Sequence, residues 1–388
     1  MAEADISVGI IGDGQLGMLL CESGTALGIT TVMLTSDTGC DAAQRASQAI
    51  QGAMDDSEAL SALITCCDVI TYEREDLPAQ AITALRAAEN AGTVVCYPPL
   101  SVIELLQDKA RQKRWLADNA LATLPFVVVD GSAESLQGAA AELGFPLVQK
   151  ALRGGFDGRG VQLLRDPDAL QNAWPGETLF EQYAGKFREV AVLFVRGRNG
   201  DTRHFGPVDM TFEADYAVLD TVTAPADLSV DIEQAAIDLA TRAVEAFDGV
   251  GVFGVEMFLL DNDTVLINEI SPRVHNAGHY SLDACASSQF EQHLRAICGL
   301  PLNDTSLRQA AAMKNLLCTP ALRLEDQHRP AAKQLDDNGA LVYWYGKSPA
   351  RLMRKLGHVS ALASTPQDAR KLVEQSWESI QIEAQESR

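Results

Sequence analysis

The sequence predicts a mixed α/β and α+β fold with more than one domain, and a doubly wound parallel sheet at its start. Strand and helix patterns alternate over the first hundred residues, which is typical of such a sheet. Further along, a glycine-rich segment joins two strands, and two neighbouring apolar strands each carry a glutamate. At 388 residues the chain is also too long for one ordinary hydrophobic core.

The composition describes an acidic globular protein. Hydrophobic residues make up 47% of the chain, charged residues 22%, and the formal net charge is −22. This charge argues against general binding to nucleic acid or to an anionic membrane, because both need a basic face. No apolar run approaches the ~20 residues of a spanning helix, and the acidic segment 1–5 does not resemble a signal peptide. The eight cysteines include no Cys-x-x-Cys pair, so we expect reduced core residues of a cytoplasmic protein.

A glycine turn follows the first predicted strand, 7–11. The run Gly12-Asp13-Gly14-Gln15-Leu16-Gly17 precedes a predicted helix over 18–27. Such a turn can bring backbone N–H groups to a phosphate, and a nicotinamide dinucleotide is the usual ligand. That ligand needs an acid where the second strand ends, but Thr35 stands there and Asp37 comes two residues late. The pattern therefore argues against a dinucleotide.

Glu73 ends another predicted strand of this sheet, 68–72, at the edge where parallel sheets place ligands. A solvated loop acid is the alternative interpretation. The basic helix over 108–119 follows, and we expect most of its cations to form a solvated face. These cations are Lys109, Arg111, Lys113 and Arg114.

The segment 153–160 is a candidate phosphate-binding loop. It contains four glycines, two arginines and one aspartate between the predicted strands 146–149 and 161–164. Backbone N–H groups in such a loop can wrap a polyphosphate. It lacks the Gly-Lys-Ser/Thr of a P-loop and joins two strands, so it would be a different kind of phosphate grip. A long hairpin loop is the alternative.

Two glutamates lie on the predicted adjacent strands 251–260 and 264–270. Glu256 lies inside the first strand and Glu269 ends the second. A carboxylate within an apolar strand is unfavourable unless something compensates it. On adjacent antiparallel strands both acids can face one point, and two carboxylates completed by substrate phosphates describe a magnesium–nucleotide site. A buried ion pair of Glu256 with an arginine is the alternative.

Polar side chains crowd the loop after the second of these strands. Arg273, His275 and Asn276 follow Asn268 and Glu269 in a segment marked by proline and glycine. Loops held at strand ends often carry binding and chemistry, although a surface turn with a salt bridge is the alternative.

A second basic cluster near the C-terminus suggests a bound anion such as a ligand phosphate, with a solvated basic turn as the alternative. Its members are Lys347, Arg351, Arg354, Lys355 and His358.

Together these motifs resemble the ATP-grasp superfamily of carboxylate–amine ligases, and within it the family of 5-(carboxyamino)imidazole ribonucleotide synthetases. That family uses bicarbonate in microbial purine biosynthesis. The resemblance covers nearly the whole chain, and the Pro-Arg-Val-His-Asn-x-Gly-His run at 272–279 is specific to the family. The glycine turn is not. The other matching segments are 12–17, 71–73, 154–160, 268–271, 288–293, 346–347 and 354–358.

The resemblance implies three domains and a set of ligands. It implies a Rossmann-like N-terminal (preATP-grasp) domain at 1–100, an ATP-grasp domain at 101–300 and a small β-rich C-terminal domain at 301–388. The partners it implies are ATP as co-substrate, bicarbonate and aminoimidazole ribonucleotide, with Mg²⁺ or Mn²⁺ as the metal. It also implies a homodimer.

The resemblance further assigns roles to individual residues. The nucleotide contacts would be Lys109, Lys150, Gly155, Phe156, Asp157, Gly158, Arg159, Gly160, Glu181, Gln182, Tyr183, Ala184, Glu189, Asn268 and Glu269. The metal ligands would be Glu256 and Glu269. The ribonucleotide contacts would be Gln15, Leu16, Glu73, Lys347, Arg354 and Lys355. The catalytic residues would be Asp157, Arg159, Arg273, His275, Asn276 and Lys347, among which Arg273, His275 and Asn276 would hold bicarbonate.

The implied reaction is carboxylation of the ribonucleotide amine through carboxyphosphate. Several positions depart from the family, which usually has Tyr at Phe156 and Arg at Lys109, and which carries a His motif where 208–213 has none. These departures leave a divergent ligase with another amine substrate as the alternative. A nucleotide-binding module that has lost turnover is a third hypothesis.

Overall fold

The computed structural model describes residues 6–155, 160–214, 216–319, 322, 331–349 and 351–386. The chain begins with a five-stranded parallel sheet, as predicted. Its strands are β1 (Ser7–Ile11), β2 (Thr30–Thr35), β3 (Gln48–Gln51), β4 (Val69–Tyr72) and β5 (Val95–Cys96). Their order is β3-β2-β1-β4-β5. The helices between them are α1 (Gln15–Leu27), α2 (Ser57–Cys66) and α3 (Ala79–Asn90).

A four-stranded antiparallel sheet follows two connecting helices, α4 (Leu100–Leu106) and α5 (Lys109–Asp118). Its elements are β6 (Phe126–Val129), α6 (Ala133–Leu143), β7 (Leu147–Ala151), β8 (Val161–Leu164) and β9 (Thr178–Gln182). The strand order is β6-β9-β7-β8. The predicted glycine-rich loop therefore connects two paired strands, β7 and β8.

A nine-stranded antiparallel sheet forms the rest of the fold. Its strands are β10 (Phe187–Arg196), β11 (Thr202–Phe212), β12 (Leu219–Ala224), β13 (Gly251–Leu260), β14 (Val265–Ser271), β15 (Ala310–Leu317), β16 (Ala332–Leu335), β17 (Leu341–Trp344) and β18 (Lys355–Ala363). The order is β14-β13-β10-β11-β12-β15-β18-β17-β16. The helices are α7 (Val230–Ala246), α8 (Ser281–Ala284), α9 (Gln289–Cys298) and α10 (Pro366–Glu386).

The sequence did not predict strands β15 and β18. These two strands join β17 and β16, near the C-terminus, to the rest of the nine-stranded sheet. Lys314 and Asn315 interrupt the apolar pattern of β15, yet both are buried. The ammonium of Lys314 pairs with Asp220 at 2.7 Å, so its charge is compensated inside the sheet. This sheet contains strands from both sides of residue 300. The expected domain boundaries at 100 and 300 stay predictions.

A buried histidine connects the first sheet to the large one. His293 on α9 accepts the N–H of Val252 at Nδ1, 3.0 Å away, which leaves the proton on Nε2. Nε2 can then donate to Thr71 Oγ1, at 2.8 Å. Burial lowers the pKa of His293 to about 3, so the ring is neutral at physiological pH. Thr71 is the last residue but one of β4 and lies two residues before Glu73.

No described helix is both long enough and apolar enough to cross a bilayer. Cys21, Cys67, Cys96, Cys285 and Cys298 are buried free thiols, whereas the free thiol of Cys66 is exposed.

Candidate active site

The glycine turn of the first sheet surrounds the carboxylate of Glu73. This carboxylate accepts the N–H of Gly14 at 2.7 Å and that of Gly17 at 2.9 Å, at the N-terminus of α1. Gly12 has φ of +118°, and a Cβ there would lie 2.2 Å from Glu73 Cγ. A protein carboxylate thus takes the position that a cofactor phosphate takes in dinucleotide-binding folds. Burial raises the pKa of Glu73 in spite of these hydrogen bonds.

Four of the six predicted ribonucleotide residues, Gln15, Leu16, Glu73 and Lys347, lie at this turn. Lys347 donates to Gln15 Oε1, although 332 positions separate them in the sequence. The ammonium of Lys347 also lies over the ring of Tyr345, 5.5 Å from its centroid. Arg354 donates to the carbonyl of Pro349 at 2.7 Å, and burial lowers its pKa, with repulsion from Arg351 adding to the effect.

Leu16 lies buried in the turn, and Lys355 begins β18. One member of the basic cluster does not belong to it. His358 is fully buried, bonds to Tyr345 Oη at 2.6 Å, and stacks on Tyr343. Burial lowers the pKa of His358 to about 3, so it carries no charge. The expectation that His358 belongs to a cationic anion site is wrong.

The two predicted metal-binding acids face each other across β13 and β14. Glu256 pairs directly with Glu269, whereas the next pair joins Met257 to Ile267. The extra residue, Asn268, forms a β-bulge. In a regular strand, side chains of consecutive residues point to opposite faces, and a bulge re-aims them. Here both Asn268 and Glu269 contact lysines of the site.

Two lysines from outside the nine-stranded sheet donate hydrogen bonds to Glu269 and Asn268. Lys109, the first residue of α5, donates to Glu269 Oε2. Lys150 lies inside β7 and donates to Asn268 Oδ1 at 2.9 Å. The site therefore joins α5, the four-stranded sheet and β14.

A buried cluster of three charges supports Lys150. Glu181 on β9 pairs with Lys113 at 2.7 Å and with Lys150 at 2.6 Å. Burial opposes the ionisation of Glu181, but attraction to Lys150 and Lys113 outweighs it and lowers the pKa to about 2. Burial lowers the pKa of Lys113 to about 8, which the charge of Glu181 partly offsets.

This cluster changes two expectations. Lys113 is not on a solvated face, because only 3% of its side chain is exposed. The carboxylate of Glu181 is committed to two lysines, so an adenine contact from this residue would have to use its backbone. The neighbouring connector residues Gln182 and Tyr183 are exposed, and their contacts to nucleotide, like that of Ala184, stay predictions.

Hydrogen bonds hold the two ends of the glycine-rich loop in place, whereas residues 156–159 in its middle lie outside the described residues. The N–H of Ala151 donates to the carbonyl of Gly160 at 2.8 Å, and that of Lys109 to Leu152 at 2.9 Å. Arg153 pairs with Asp108 at 3.3 Å. Phe156, Asp157, Gly158 and Arg159 lie outside the described residues, so their assigned roles, and that of Gly155, stay predictions.

The loop after β14 is held by several side chains. Gln289 accepts the N–H of His275 at 2.8 Å and donates to its carbonyl at 2.6 Å. The ring of His275 accepts the N–H of Ala277 at Nδ1, at 3.3 Å, so the proton lies on Nε2. Nε2 is 3.0 Å from Glu256 Oε1 and donates to it. His275 thereby orients a predicted metal-binding carboxylate.

Arg273 and Asn276 have partners that the sequence did not suggest. Arg273 makes a two-bond contact with Glu75 from the loop after β4. The amide of Asn276 exchanges two hydrogen bonds with that of Asn315, at 3.1 and 2.6 Å. The bicarbonate contacts assigned to both residues stay predictions, and Asn276 would need its remaining N–H for such a contact.

Replacing Glu189 with Gln should stabilise the ligand-free protein at pH 8. Burial and the charge of Glu256 raise the pKa of Glu189 from 4.5 to about 8. Between these values the unfolded chain loses a proton that the folded chain keeps, so stability falls as pH rises from about 4.5 to 8. Gln keeps the shape of the protonated acid and should remove a penalty of about 1–3 kcal/mol.

Melting temperatures of wild type and Glu189→Gln, measured from pH 4 to 8, check this expectation. The two curves should meet near pH 4 and separate as pH rises. The exposed Glu177→Gln provides the control, which should follow wild type throughout. A constant difference between Glu189→Gln and wild type over the whole pH range would contradict it.

Profiles of three protein families match the chain. The ATP-grasp domain matches residues 114–290, the ribonucleotide synthetase preATP-grasp domain matches 6–107, and the phosphoribosylaminoimidazole carboxylase C-terminal domain matches 311–372.

Individual relatives match nearly end to end. The N5-carboxyaminoimidazole ribonucleotide synthase of Brucella melitensis biotype 1 is 37% identical over 362 residues, which cover 92% of this chain and 96% of that protein. The synthase of Synechococcus elongatus is 38% identical, with coverage of 91% and 88%.

A solved structure shows the same fold. The Aspergillus clavatus N5-carboxyaminoimidazole synthase, in complex with ADP and 5-aminoimidazole ribonucleotide, superposes with a TM-score of 0.84 and 31% identity. The match covers 98% of this chain and 99% of that one. The predicted fold class and the predicted resemblance are therefore confirmed, and the chain belongs to the N5-carboxyaminoimidazole ribonucleotide synthase family of the ATP-grasp superfamily.

Proposed function

We propose that the protein uses ATP and bicarbonate to carboxylate the exocyclic amine of 5-aminoimidazole ribonucleotide. The products are 5-carboxyaminoimidazole ribonucleotide, ADP and phosphate, as a step of de novo purine biosynthesis. The observation that carries the proposal is the continuity of β14 with its loop. Asn268 and Glu269 contact the lysines at one end, and Arg273 and His275 follow within six residues. A nucleotide and its phosphoryl acceptor can therefore meet there.

The donor set fits a divalent cation that arrives with ATP. Glu256 and Glu269 face each other, and oxygen ligands are what Mg²⁺ or Mn²⁺ prefers. Two carboxylates do not fill an octahedral site, so phosphate oxygens would complete it. When bound, the ion would neutralise charge on the transferring phosphoryl group.

In the first half of the reaction, a bicarbonate oxygen bonds to the γ-phosphorus while the bond to the β-phosphate oxygen breaks. ADP leaves and carboxyphosphate forms. Lys109 and Lys150 would contact the phosphates through their ammonium groups, which would compensate charge in the transition state. His275 donates from Nε2 to Glu256 and would orient that carboxylate, while the bicarbonate contact assigned to His275 stays a prediction.

In the second half, the bond between the carboxyl carbon and the phosphate oxygen of carboxyphosphate breaks, either when the amine attacks that carbon or beforehand, with release of carbon dioxide that the amine then attacks. Phosphate leaves and takes up the proton that the nitrogen loses. Lys347 and Gln15 would hold the ribonucleotide beside the glycine turn, with Arg354 and Lys355 at its phosphate. The resemblance assigns the positioning of the amine and the carboxyl donor to Asp157 and Arg159. Closure of their loop would protect the labile intermediate from water.

Phosphate release should require ATP, Mg²⁺, bicarbonate and 5-aminoimidazole ribonucleotide together. The measurement is a coupled phosphate assay in which each component is omitted in turn. No release with the complete set would overturn the substrate assignment. ATP turnover with a different amine would favour the divergent ligase, which the absence of the family's histidine from 208–213 suggests. Binding of ATP in a thermal-shift assay without any turnover would instead favour the binding module.

We also propose a homodimer, which the resemblance implies, and a cytoplasmic location, which the cysteine pattern suggests. Light scattering after size-exclusion chromatography would measure the mass, and a value near that of one chain would contradict the dimer.

A further inference from the structure

The loop after β4 carries two glutamates with different partners. Glu73 closes the glycine turn, whereas Glu75 reaches the loop after β14. Arg273 donates from Nε and Nη2 to the two carboxylate oxygens of Glu75, the second contact at 3.2 Å. The side chains of Arg273 and Glu75 are 16% and 22% exposed. A two-bond contact of this kind fixes the plane of the guanidinium.

This contact uses one edge of the guanidinium. Arginine has five N–H donors in a rigid planar group. Nε and one Nη2 hydrogen serve Glu75, and Nη1 donates to the carbonyl of Val274 at 3.2 Å. Arg273 makes no other hydrogen bond with the described residues. One hydrogen on each Nη atom is therefore left to bind a ligand. This end-on pair matches two oxygens of a planar carboxylate or of bicarbonate.

The acids that attract the charge of Arg273 come from both halves of the site. Burial opposes the charge of Arg273, but attraction to Glu75, Glu269 and Glu73 keeps its pKa raised. Glu269 belongs to the nucleotide end and Glu73 to the ribonucleotide end. Burial likewise opposes ionisation of Glu75, yet Arg273 lowers its pKa to about 2, so the pair is ionised at neutral pH.

We propose that Glu75 is a positioning residue for bicarbonate. Its carboxylate accepts hydrogen bonds from Nε and Nη2 of Arg273, and this contact directs the remaining Nη hydrogens toward the carboxyl donor. This inference rests on the proposed function and adds a residue to it. It also means that two residues of one loop, Glu73 and Glu75, set the geometry at the ribonucleotide and the bicarbonate positions.

Steady-state kinetics of Glu75→Gln test the inference. Gln keeps one acceptor oxygen but replaces the other with an N–H₂ group that opposes the guanidinium donors. KM for bicarbonate should rise about tenfold or more, since small misplacements of a binding group have effects of this size. KM for ATP should stay within about twofold.

The matched control is Asp76→Asn on the same loop. Asp76 also makes a two-bond contact with an arginine, Arg74, at 2.8 and 2.6 Å, but at the surface. This variant should leave both KM values unchanged. Glu75→Asp, which keeps the charge and both oxygens, should recover part of the bicarbonate affinity and guards against a folding defect in Glu75→Gln.

A double-mutant cycle separates positioning from general structural damage. Lysine cannot offer a side-on pair of donors, so Arg273→Lys should already lose what Glu75 provides. Glu75→Gln should then add little to the KM for bicarbonate in that background. An unchanged or lower KM for bicarbonate in Glu75→Gln would overturn the inference, as would equal increases for ATP. Failure of wild type to release phosphate with bicarbonate would instead overturn the proposed function.

Discussion

Arg273→Ala is expected to abolish most carboxylation and to spare ATP binding. Removing a charged donor that contacts the reacting groups lowers the rate by about 10²–10³-fold. The nucleotide contacts proposed for Lys109, Lys150 and Glu269 do not involve Arg273, so the Kd for ATP should change less than about threefold. Phosphate release with bicarbonate and calorimetric titration with a non-hydrolysable ATP analogue measure the two quantities.

The control for this experiment removes a neighbouring arginine with a similar partner. Arg74→Ala takes away a guanidinium whose side chain is 43% exposed and which contacts Asp76. Its activity should remain near that of wild type. Full activity in Arg273→Ala would show that Arg273 does not hold bicarbonate and that the loop after β14 is only structural.

Glu181→Ala is expected to cause the largest loss of stability. It leaves the ammonium groups of Lys113 and Lys150 buried without their carboxylate, and breaking a buried pair in this way costs about 3–5 kcal/mol. The measurement is urea denaturation followed by fluorescence. Because the pKa of Glu181 is lowered to about 2, its contribution is present at neutral pH and is lost as pH falls from about 4.5 through 2.

Exposed Glu177, four residues earlier, supplies the control. Glu177→Ala removes the same type of side chain from the surface and should change the free energy of unfolding by less than about 0.5 kcal/mol. A loss below about 1 kcal/mol in Glu181→Ala would mean that the two lysines find other partners or lose their protons.

Periodicity and motifs predicted the parallel sheet and the strands that carry Glu256 and Glu269. They failed at β15 and β18, where buried polar residues break the apolar pattern. Lys314 and Asn315 are satisfied by Asp220 and Asn276, about 40 to 95 positions away, and such distant partners cannot be read from local sequence.

In the site, the sequence indicated most of the residues that meet but not how they pair. Lys113 lies one helical turn after Lys109 and therefore on the same face, a signal that would have identified it as a site residue. Glu75 lies two residues after Glu73, but its partner is 198 positions away, so only the fold reveals their contact. The bulge at Asn268 is likewise a property of strand pairing, and no single strand shows it.

The carboxylate of Glu73 in the glycine turn has a consequence for selectivity inside a cell. NADH and similar dinucleotides bind folds of this kind through a pyrophosphate at the first helix. In this protein an acidic side chain is tethered at that position, so a pyrophosphate would have to displace it and lose its two N–H bonds. A tethered group acts at a high effective concentration. Glu73 thus acts as a built-in competitor that disfavours binding of a dinucleotide pyrophosphate at this glycine turn.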